Sequence, residues 1–291
     1  MSTASVADVL RVLEHRYPPA TAEDWDAVGL VAGDPAAPVR RVLFAVDPVV
    51  AVLDEAVEWG ADLVVTHHPL LLRGIHSVAA TTFKGALLHR LIRSGVALYA
   101  AHTNADAAVG GVADALAAAV GLVDTVPLVA GDDESTGIGR VGALASPTTL
   151  QAFAQRVADA VPATAQGVRF AGDPDGRVER VAVVGGSGDS LFDAVRAAGV
   201  DAYVTADLRH HPASELRERA EFEAGLGGDG AATPYLVDLA HFASEWPWLA
   251  YAARDLEADL TARGTTVETR VSTLRTDPWT GRLTAQPEGP S

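Results

Sequence analysis

Two adjacent histidines, His67 and His68, follow a short apolar run at residues 63–65 and precede Pro69. Consecutive residues of a strand point to opposite faces, so two neighbouring imidazoles can serve one site only beyond the end of the strand. Open α/β sheets place their ligands at this carboxyl end of the strands. A lone histidine is more often a packing or surface residue, but the position of this doublet indicates a pair of metal ligands.

A second apolar run, at residues 96–101, also ends in a polar cluster. Asp106 offers a hard oxygen ligand, and His102 could orient it or transfer a proton. The competing interpretation is a helix cap, because Thr103, Asn104 or Asp106 could begin the following helix. A cap needs only one of these residues, whereas the cluster supplies several.

A third segment lies far downstream, where a short predicted strand at residues 235–238 is followed by His241 and Glu245. These two residues are four positions apart and therefore share one face of the predicted helix. A solvated helix face explains most such pairs. This pair follows directly after a strand, which again indicates the carboxyl edge of the sheet.

Together the three segments supply three histidines and two carboxylates, which we predict to be metal ligands: His67, His68, Asp106, His241 and Glu245. Five ligands are too many for one tetrahedral zinc and suit two ions that share a bridging carboxylate, for which the longer Glu245 is the better candidate. The chain has no cysteine, so nitrogen and oxygen atoms must hold any metal. Such ligands favour two divalent ions of Zn or Fe, with Mn, Ni or Co as alternatives.

A second histidine doublet, His210 and His211, lies near the start of another predicted helix. It could form an ordinary surface turn. The functional interpretation places it around the metal pocket, where it would act with His102 as catalytic groups that contact substrate or transfer protons. The Gly-Gly-Ser-Gly run at residues 185–188 could bind phosphate, but a single glycine-rich turn is weak evidence.

Strands that alternate with helices predict an α/β fold on mainly parallel or mixed sheets. A helix is predicted to begin after the cap Ser5. The further predicted strands lie at residues 41–46, 62–66 and 96–101, and the helices between and after them lie at residues 51–59, 87–93 and 113–120.

The strand–helix–strand stretch at residues 41–66 has a gap-free echo at residues 180–205, with a constant offset of 139 positions (41 to 180, 66 to 205). The echo keeps Gly, Asp and Thr in register, which favours internal duplication and two similar α/β halves. In this alignment His68 corresponds to Asp207, so the second half does not repeat the histidine doublet.

The predicted organisation has five parts. They are a first α/β half at residues 1–127 that carries most of the metal site, a linker at 128–140, a second α/β half at 141–223, a C-terminal segment at 234–275 that returns to the metal site, and a flexible tail at 276–291.

Composition restricts the possible partners. A net charge of −16 disfavours general nucleic-acid binding, because phosphate recognition depends on Lys and Arg. Lys84 is the only lysine, which we attribute to the codon bias of a GC-rich genome. The sequence shows no signal peptide and no apolar stretch of membrane-spanning length, so we expect a cytoplasmic protein that does not bind membranes.

Taken in order, these segments resemble the Nif-three-like dinuclear metal-centre family, whose members are also labelled type-2 GTP cyclohydrolase I homologues. The matching stretches are residues 24–30, 66–69, 102–106, 183–188, 205–211 and 238–245. The resemblance covers about residues 5–275 and implies a two-metal site at the five predicted ligands. It also implies two similar halves and a ring-shaped homohexamer whose metal sites face an inner cavity. Ala206 and Pro212 depart from the family's usual residues without replacing a predicted ligand.

We therefore predict a metal-dependent hydrolase in which a hydroxide that bridges two ions attacks a nucleotide or a cyclic amide. The cyclohydrolase activity follows from the family label alone. Arg73 and Arg209 are the predicted contacts for an anionic group. The alternative is a non-catalytic protein that stores or delivers metal or acts as an adaptor ring. Both functions need the same ligands.

Overall fold

Two mixed β-sheets organise the chain, of which the computed structural model describes residues 3–227 and 230–284. The strands are β1 (Ala4–Ser5), β2 (Gly29–Ala32), β3 (Pro38–Val39), β4 (Arg41–Ala45), β5 (Leu63–Thr66), β6 (Ala97–Ala100), β7 (Leu122–Ala130), β8 (Gly137–Thr149), β9 (Arg169–Ala171), β10 (Arg177–Ser187), β11 (Ala202–Ala206), β12 (Tyr235–Leu239) and β13 (Glu268–Val271). The helices are α1 (Val6–Arg16), α2 (Val50–Trp59), α3 (Phe83–Ser94), α4 (Thr103–Ala107), α5 (Val112–Val120), α6 (Leu150–Ala160), α7 (Phe192–Ala197), α8 (His210–Gly227), α9 (His241–Glu245) and α10 (Pro247–Ala262). None of these helices has the length and apolar character that crossing a bilayer requires.

The first sheet has the strand order β13–β4–β5–β6–β2. Strand β2 is antiparallel to β6, and the other neighbours are parallel. Successive side chains of a strand point to opposite faces. Leu43 and Val64 accordingly pack with α2 and α3, whereas Phe44 and Val65 belong to a core that is shared with the second sheet.

The second sheet has the strand order β7–β8–β10–β11–β12–β9, with three parallel strands, β10, β11 and β12, at its centre. Helices α7 and α8 pack on one face through Val195 and Leu216. Helices α5 and α10 lie in the core shared by both sheets, where Leu116 and Trp248 are fully buried. The two sheets therefore enclose a common helical layer.

The two stretches of the sequence echo pair in the same register. Val42 pairs with Leu63 in the first sheet, and the residues 139 positions later, Val181 and Ala202, pair in the second. Asp62 and Asp201 repeat one another as well. Asp62 Oδ2 accepts hydrogen bonds from the backbone of residues 40 and 41, and Asp201 Oδ2 accepts them from residues 179 and 180.

Residues 128–140, predicted as a linker, instead form the turn end of a hairpin. Strands β7 and β8 pair antiparallel up to the Ala130–Gly137 pair, so this stretch belongs to the second sheet. The polar, glycine-containing composition that suggested a linker suits a hairpin turn equally well.

The C-terminal segment connects the two sheets, since β12 joins the second sheet and β13 returns to pair with β4 in the first. The first residues of the predicted flexible tail are packed. Thr276 donates a hydrogen bond to Asp47, and Asp277 is buried. Residues 285–291 of that tail lie outside the described residues.

Candidate metal centre

The five predicted ligands meet where the carboxyl ends of β5 and β6 face that of β12. His67 Nε2 lies 3.4 Å from Glu245 Oε1 and 3.8 Å from Asp106 Oδ1. His68 Nε2 lies 3.1 Å from Glu245 Oε2 and 3.2 Å from His241 Nε2. His241 Nε2 is 2.9 Å from Glu245 Oε1. Strand ends from both sheets therefore contribute to one cluster.

Local backbone contacts place these ligands at the strand ends. The amides of His67 and His68 donate to Ala45 O and Val46 O, so backbone pairing continues just past the end of β5. Thr66 Oγ1 donates to His68 O and fixes the turn that follows. Helix α9 begins directly after β12 and places His241 and Glu245 one turn apart, as their spacing predicts.

Each histidine of the first sheet has its Nδ1 atom fixed by an acceptor. His67 Nδ1 lies 3.0 Å from the carbonyl oxygen of Ala101, which can only accept a hydrogen bond. His68 Nδ1 lies 2.7 Å from Asp47 Oδ1. In both rings the Nδ1–H donates outward, so the Nε2 atom faces the cluster. This arrangement of outer hydrogen-bond partners is typical of metal-binding histidines.

The same arrangement holds His241 and His102. His241 Nδ1 lies 2.7 Å from Asp207 Oδ2. His102 Nδ1 lies 2.8 Å from Asp26 Oδ1, and Asp26 is itself fixed by hydrogen bonds from the amide and hydroxyl of Thr103. Asp207 occupies the position that corresponds to His68 in the duplication. The second half therefore contributes the acceptor that orients a histidine.

The charges in the cluster are strongly coupled. Burial by itself lowers the pKa of His68 and His241, but the carboxylates of Glu245, Asp47 and Asp207 outweigh it and raise these pKa values to about 10 and about 11. Burial alone would raise the pKa of Glu245, yet the three neighbouring histidines hold it well below its ordinary value. Glu245 is therefore a carboxylate that needs cationic neighbours.

Asp106 and His102 respond mainly to burial. Burial raises the pKa of Asp106 to about 6, although the nearby His67 acts in the opposite direction. Burial lowers the pKa of His102 to about 4, against the opposing effect of Asp26. His102 is therefore a neutral imidazole at neutral pH.

The residues present fit a divalent cation. His67 Nε2 and Asp106 Oδ1 are buried and have no hydrogen-bond partner in the part of the chain that the structure describes. Buried polar atoms are nearly always paired, so these two indicate a missing partner. Two sets of three residues each bring ligand atoms within 4.8 Å of one another: His68, His241 and Glu245, and His67, His68 and His102. Buried His and Glu side chains could thus hold a metal ion.

The cluster opens into a cavity of about 690 Å³. His68, His102 and His241 line it, together with Trp25 and Trp279. A second cavity of about 420 Å³ also borders the cluster and reaches Asp106 and Glu245. Small molecules can therefore approach the histidines from two directions.

His210 and His211 do not belong to this cluster, so their predicted placement around the metal pocket is wrong. Both are exposed at the start of α8, where their ring centroids are 5.2 Å apart. His210 lines a separate cavity of about 400 Å³ with Arg169 and Arg217. Asp207 alone turns toward the histidines, since its backbone takes a left-handed conformation (φ 56°) before the chain enters α8.

The other predicted anion contacts are also placed elsewhere. Arg209 pairs with Asp189, and exposed Arg73 does not line either cavity that borders the cluster. Within the glycine-rich turn, the amide of Gly186 donates to Ser244 Oγ and that of Gly188 to Ala206 O. These two amides are already bonded and are not available to a phosphate.

Three carboxylates that orient the histidines were not predicted from the sequence: Asp26, Asp47 and Asp207. Asp47 follows the end of β4, so the rule that identified His67 could have indicated it. Asp26 lies within a stretch that carries the family resemblance. Asp207 is 34 residues from His241, and only the fold brings the two together.

The fold and the cluster define an α/β protein with two mixed sheets and a buried histidine–carboxylate site between their strand ends. A sequence model of the family described as Duf34/NIF3 (NGG1p interacting factor 3) matches residues 4–278, and the chain belongs to this family. A Streptomyces coelicolor relative named GTP cyclohydrolase 1 type 2 homolog is 50% identical over 285 residues, which cover 97% of this chain and 96% of the relative.

Solved structures share the fold. A Bacillus cereus protein related to NIF3 superimposes with a TM-score of 0.82 at 24% identity, over 96% of this chain and 100% of that one. A Staphylococcus aureus hypothetical protein gives a TM-score of 0.83 at 26% identity, over 96% of this chain and 99% of that one.

Proposed function

We propose that the chain binds two divalent cations and acts as a metal-dependent hydrolase. The predicted ligands are His67, His68, Asp106, His241 and Glu245. The observation that carries the proposal is the convergence of three Nε2 atoms on the buried Glu245 carboxylate, while a carbonyl or carboxylate accepts from each Nδ1. His67 Nε2 and Asp106 Oδ1 have no hydrogen-bond partner among the described residues, and a bound cation would supply one.

The position of Glu245 suits a bridging ligand. Its Oε1 atom is nearest to His241 and His67, and its Oε2 atom is nearest to His68. Asp106 approaches only from the side of His67. Glu245 would hold cations together with the three histidines, and Asp106 would add a carboxylate ligand on the side of His67.

When bound, two divalent ions would polarise a substrate oxygen and lower the pKa of water in the site. The chain itself would supply proton transfer through His102. Its Nδ1–H donates to Asp26, so its neutral Nε2 lines the cavity as an acceptor. Asp26 would hold the ring in this orientation during turnover.

The substrate class is proposed from the relatives, which are named GTP cyclohydrolase 1 type 2 homologs. We propose a nucleotide or a cyclic amide as the substrate, with zinc or iron as the metal and a homohexameric ring as the assembly. Size-exclusion chromatography with light scattering tests the assembly directly.

Elemental analysis of protein purified without added metal tests the site. About two ions per chain are expected, as for dinuclear hydrolases. Glu245→Gln should lose most of both ions, and Glu58→Gln is the matched control, since Glu58 is exposed on α2. Unchanged metal content in Glu245→Gln would refute the site.

Activity is tested by offering metal-loaded protein nucleotides, phosphoesters and cyclic amides. Hydrolysis by the wild type that is lost in Glu245→Gln would support the hydrolase proposal. If every substrate stays intact while two ions remain bound, the hydrolase is refuted and metal storage or delivery becomes the function. Transfer of the ions to an acceptor apoprotein would then identify a delivery protein.

A further inference from the structure

The larger cavity at the cluster carries an unusual concentration of exposed aromatic rings. Trp25, Phe83 and Trp279 are 59%, 72% and 65% exposed, and all three line it. Only five aromatic side chains are among the large exposed hydrophobic residues of the described chain, and the other two are Phe170 and Phe222. Exposed apolar surface inside a concave site indicates that a ligand binds there and covers the apolar side chains.

The only lysine of the chain, Lys84, lines the same cavity. In the part of the chain that the structure describes, its ammonium forms no ion pair and no hydrogen bond; its nearest aromatic contact is the Phe83 ring, at 5.9 Å from its centroid. Asp47 and Asp207 in the same wall accept hydrogen bonds from histidines, and the buried Asp277 has one carboxylate oxygen without a partner among the described residues. All three are acids, so Lys84 is the cationic side chain of this wall that is free to pair with an anion.

The position of Lys84 within its helix supports this role. Helix α3 begins at Phe83 after the cap Thr82, whose Oγ1 accepts from the amide of Gly85, and it has no acidic residue in its first turn. A cation in the first turn of a helix opposes the macrodipole and is unfavourable for the helix. An anion bound beside Lys84 would be attracted by the side chain and by the helix end together.

We propose that this cavity binds an aromatic anion, with its planar ring held by Trp25 and Trp279 and its anionic group paired with Lys84. This deepens the proposed hydrolase, on which it rests, by naming the chemical class of its substrate. A ring that stacks on tryptophan gains contact energy beyond its buried area, and a lysine ammonium recognises carboxylate, sulfonate and phosphate alike. The cavity volume of about 690 Å³ suits a ligand of nucleotide size.

Equilibrium dialysis of the metal-loaded protein with matched probes tests the proposal. Guanosine 5′-phosphate and 2-naphthoate carry a ring and an anion. Guanosine has the ring system alone, ribose 5-phosphate has the anion alone, and octanoate is an apolar anion without a ring. We expect the first two probes to bind at least about tenfold more tightly than the other three, because each of those lacks one of the two contacts. The better of the two binders shows whether the anion is a nucleotide phosphate or a simple aromatic acid.

Lys84→Gln should lower the affinity for guanosine 5′-phosphate and 2-naphthoate by about tenfold or more, whereas Lys84→Arg should keep most of that affinity. Arg93→Gln is the matched control, because Arg93 is an exposed cation on the same helix that does not line the cavity. Equal binding to wild type and Lys84→Gln would overturn the proposal. So would equally tight binding of octanoate or ribose 5-phosphate.

The sole lysine also allows a direct observation. Reductive methylation with ¹³C-formaldehyde labels Lys84 and the chain terminus only, and the ring anions should shift the Lys84 signal in the NMR spectrum. Metal content is measured in every variant. If no ring anion binds while two ions are present, the aromatic-anion proposal fails and metal binding stands. If the ions are absent from the wild type, the proposed function fails instead.

Discussion

The Nε2 atoms of His68 and His241 face each other at 3.2 Å, and the Nδ1 atom of each ring lies 2.7 Å from a carboxylate. Each ring donates its Nδ1–H to that carboxylate, Asp47 or Asp207, so the two Nε2 atoms point at one another. In the neutral rings these are two facing lone pairs. Two facing lone pairs repel unless a proton or a metal ion lies between or beside them. Each sheet therefore contributes one Asp–His pair, Asp47–His68 from the first sheet and Asp207–His241 from the second, and the two pairs face one candidate cation site.

Asp207→Asn is expected to weaken metal binding by about tenfold to a hundredfold, because loss of an outer partner reduces the basicity and order of a ligating histidine. Asparagine tolerates the left-handed backbone at this position, so the fold should persist. Asp47→Asn should have a similar effect through His68. Chelator competition measures the affinity, with exposed Asp193→Asn as the control. Wild-type affinity in both variants would show that these carboxylates do not support the ligands.

His102→Gln separates a proton-transferring residue from a ligand. The ring is neutral at neutral pH, and Asp26 already fixes its orientation. We expect metal content close to wild type and hydrolysis reduced by about a hundredfold to ten-thousandfold, the usual contribution of a general base. His76→Gln, which changes an exposed histidine, is the control. A loss of metal that matches the loss of activity would instead make His102 a ligand.

Metal binding should tighten as pH rises. The metal-free pKa values of His68 and His241, about 10 and about 11, lie above the ordinary histidine value of 6.5, so both rings hold a proton at neutral pH that a cation must displace. Between about pH 6 and pH 8 we expect release of about two protons per chain and an affinity that rises by up to about a hundredfold per pH unit. Calorimetry in buffers of different ionisation enthalpy counts the protons. Binding without proton release would contradict protonated imidazoles in the metal-free site.

The strand-end rule located most of the cluster from the sequence alone. His67, His68, Asp106, His241 and Glu245 all follow apolar runs, and in the fold each of the five lies within 3.8 Å of at least one other. The rule depends only on side-chain alternation and on the shared edge of parallel strands. It identifies candidates at the edge of each sheet, but only the packing of the two sheets brings the end of β12 against those of β5 and β6.

The same reasoning misplaced His210 and His211 and overlooked Lys84. A second doublet near a strand end resembles the first, but the backbone turns at Asp207 and carries both histidines onto the exposed start of α8. Lys84 reaches the cavity because of the path that residues 69–82 take between β5 and α3. That path depends on tertiary packing, and no periodicity in the sequence encodes it.

Asp62 and Asp201 should contribute equally to stability, because they make equivalent contacts in the two sheets. Each carboxylate accepts two backbone amides from the chain segment of the neighbouring strand, at distances of 2.7–3.0 Å for Asp62 and 2.8 Å for Asp201. Hydrogen bonds to a charged group contribute about 1.5–3 kcal/mol, so we expect Asp62→Ala and Asp201→Ala each to lower the free energy of unfolding by about that amount. Urea unfolding measures the change, with exposed Glu58→Ala as the control that should remain within about 0.5 kcal/mol of wild type. The two aspartates lie in different sheets, so the double variant should show the sum of the single effects. A large cost at one aspartate and none at the other would show that only one half still depends on this contact.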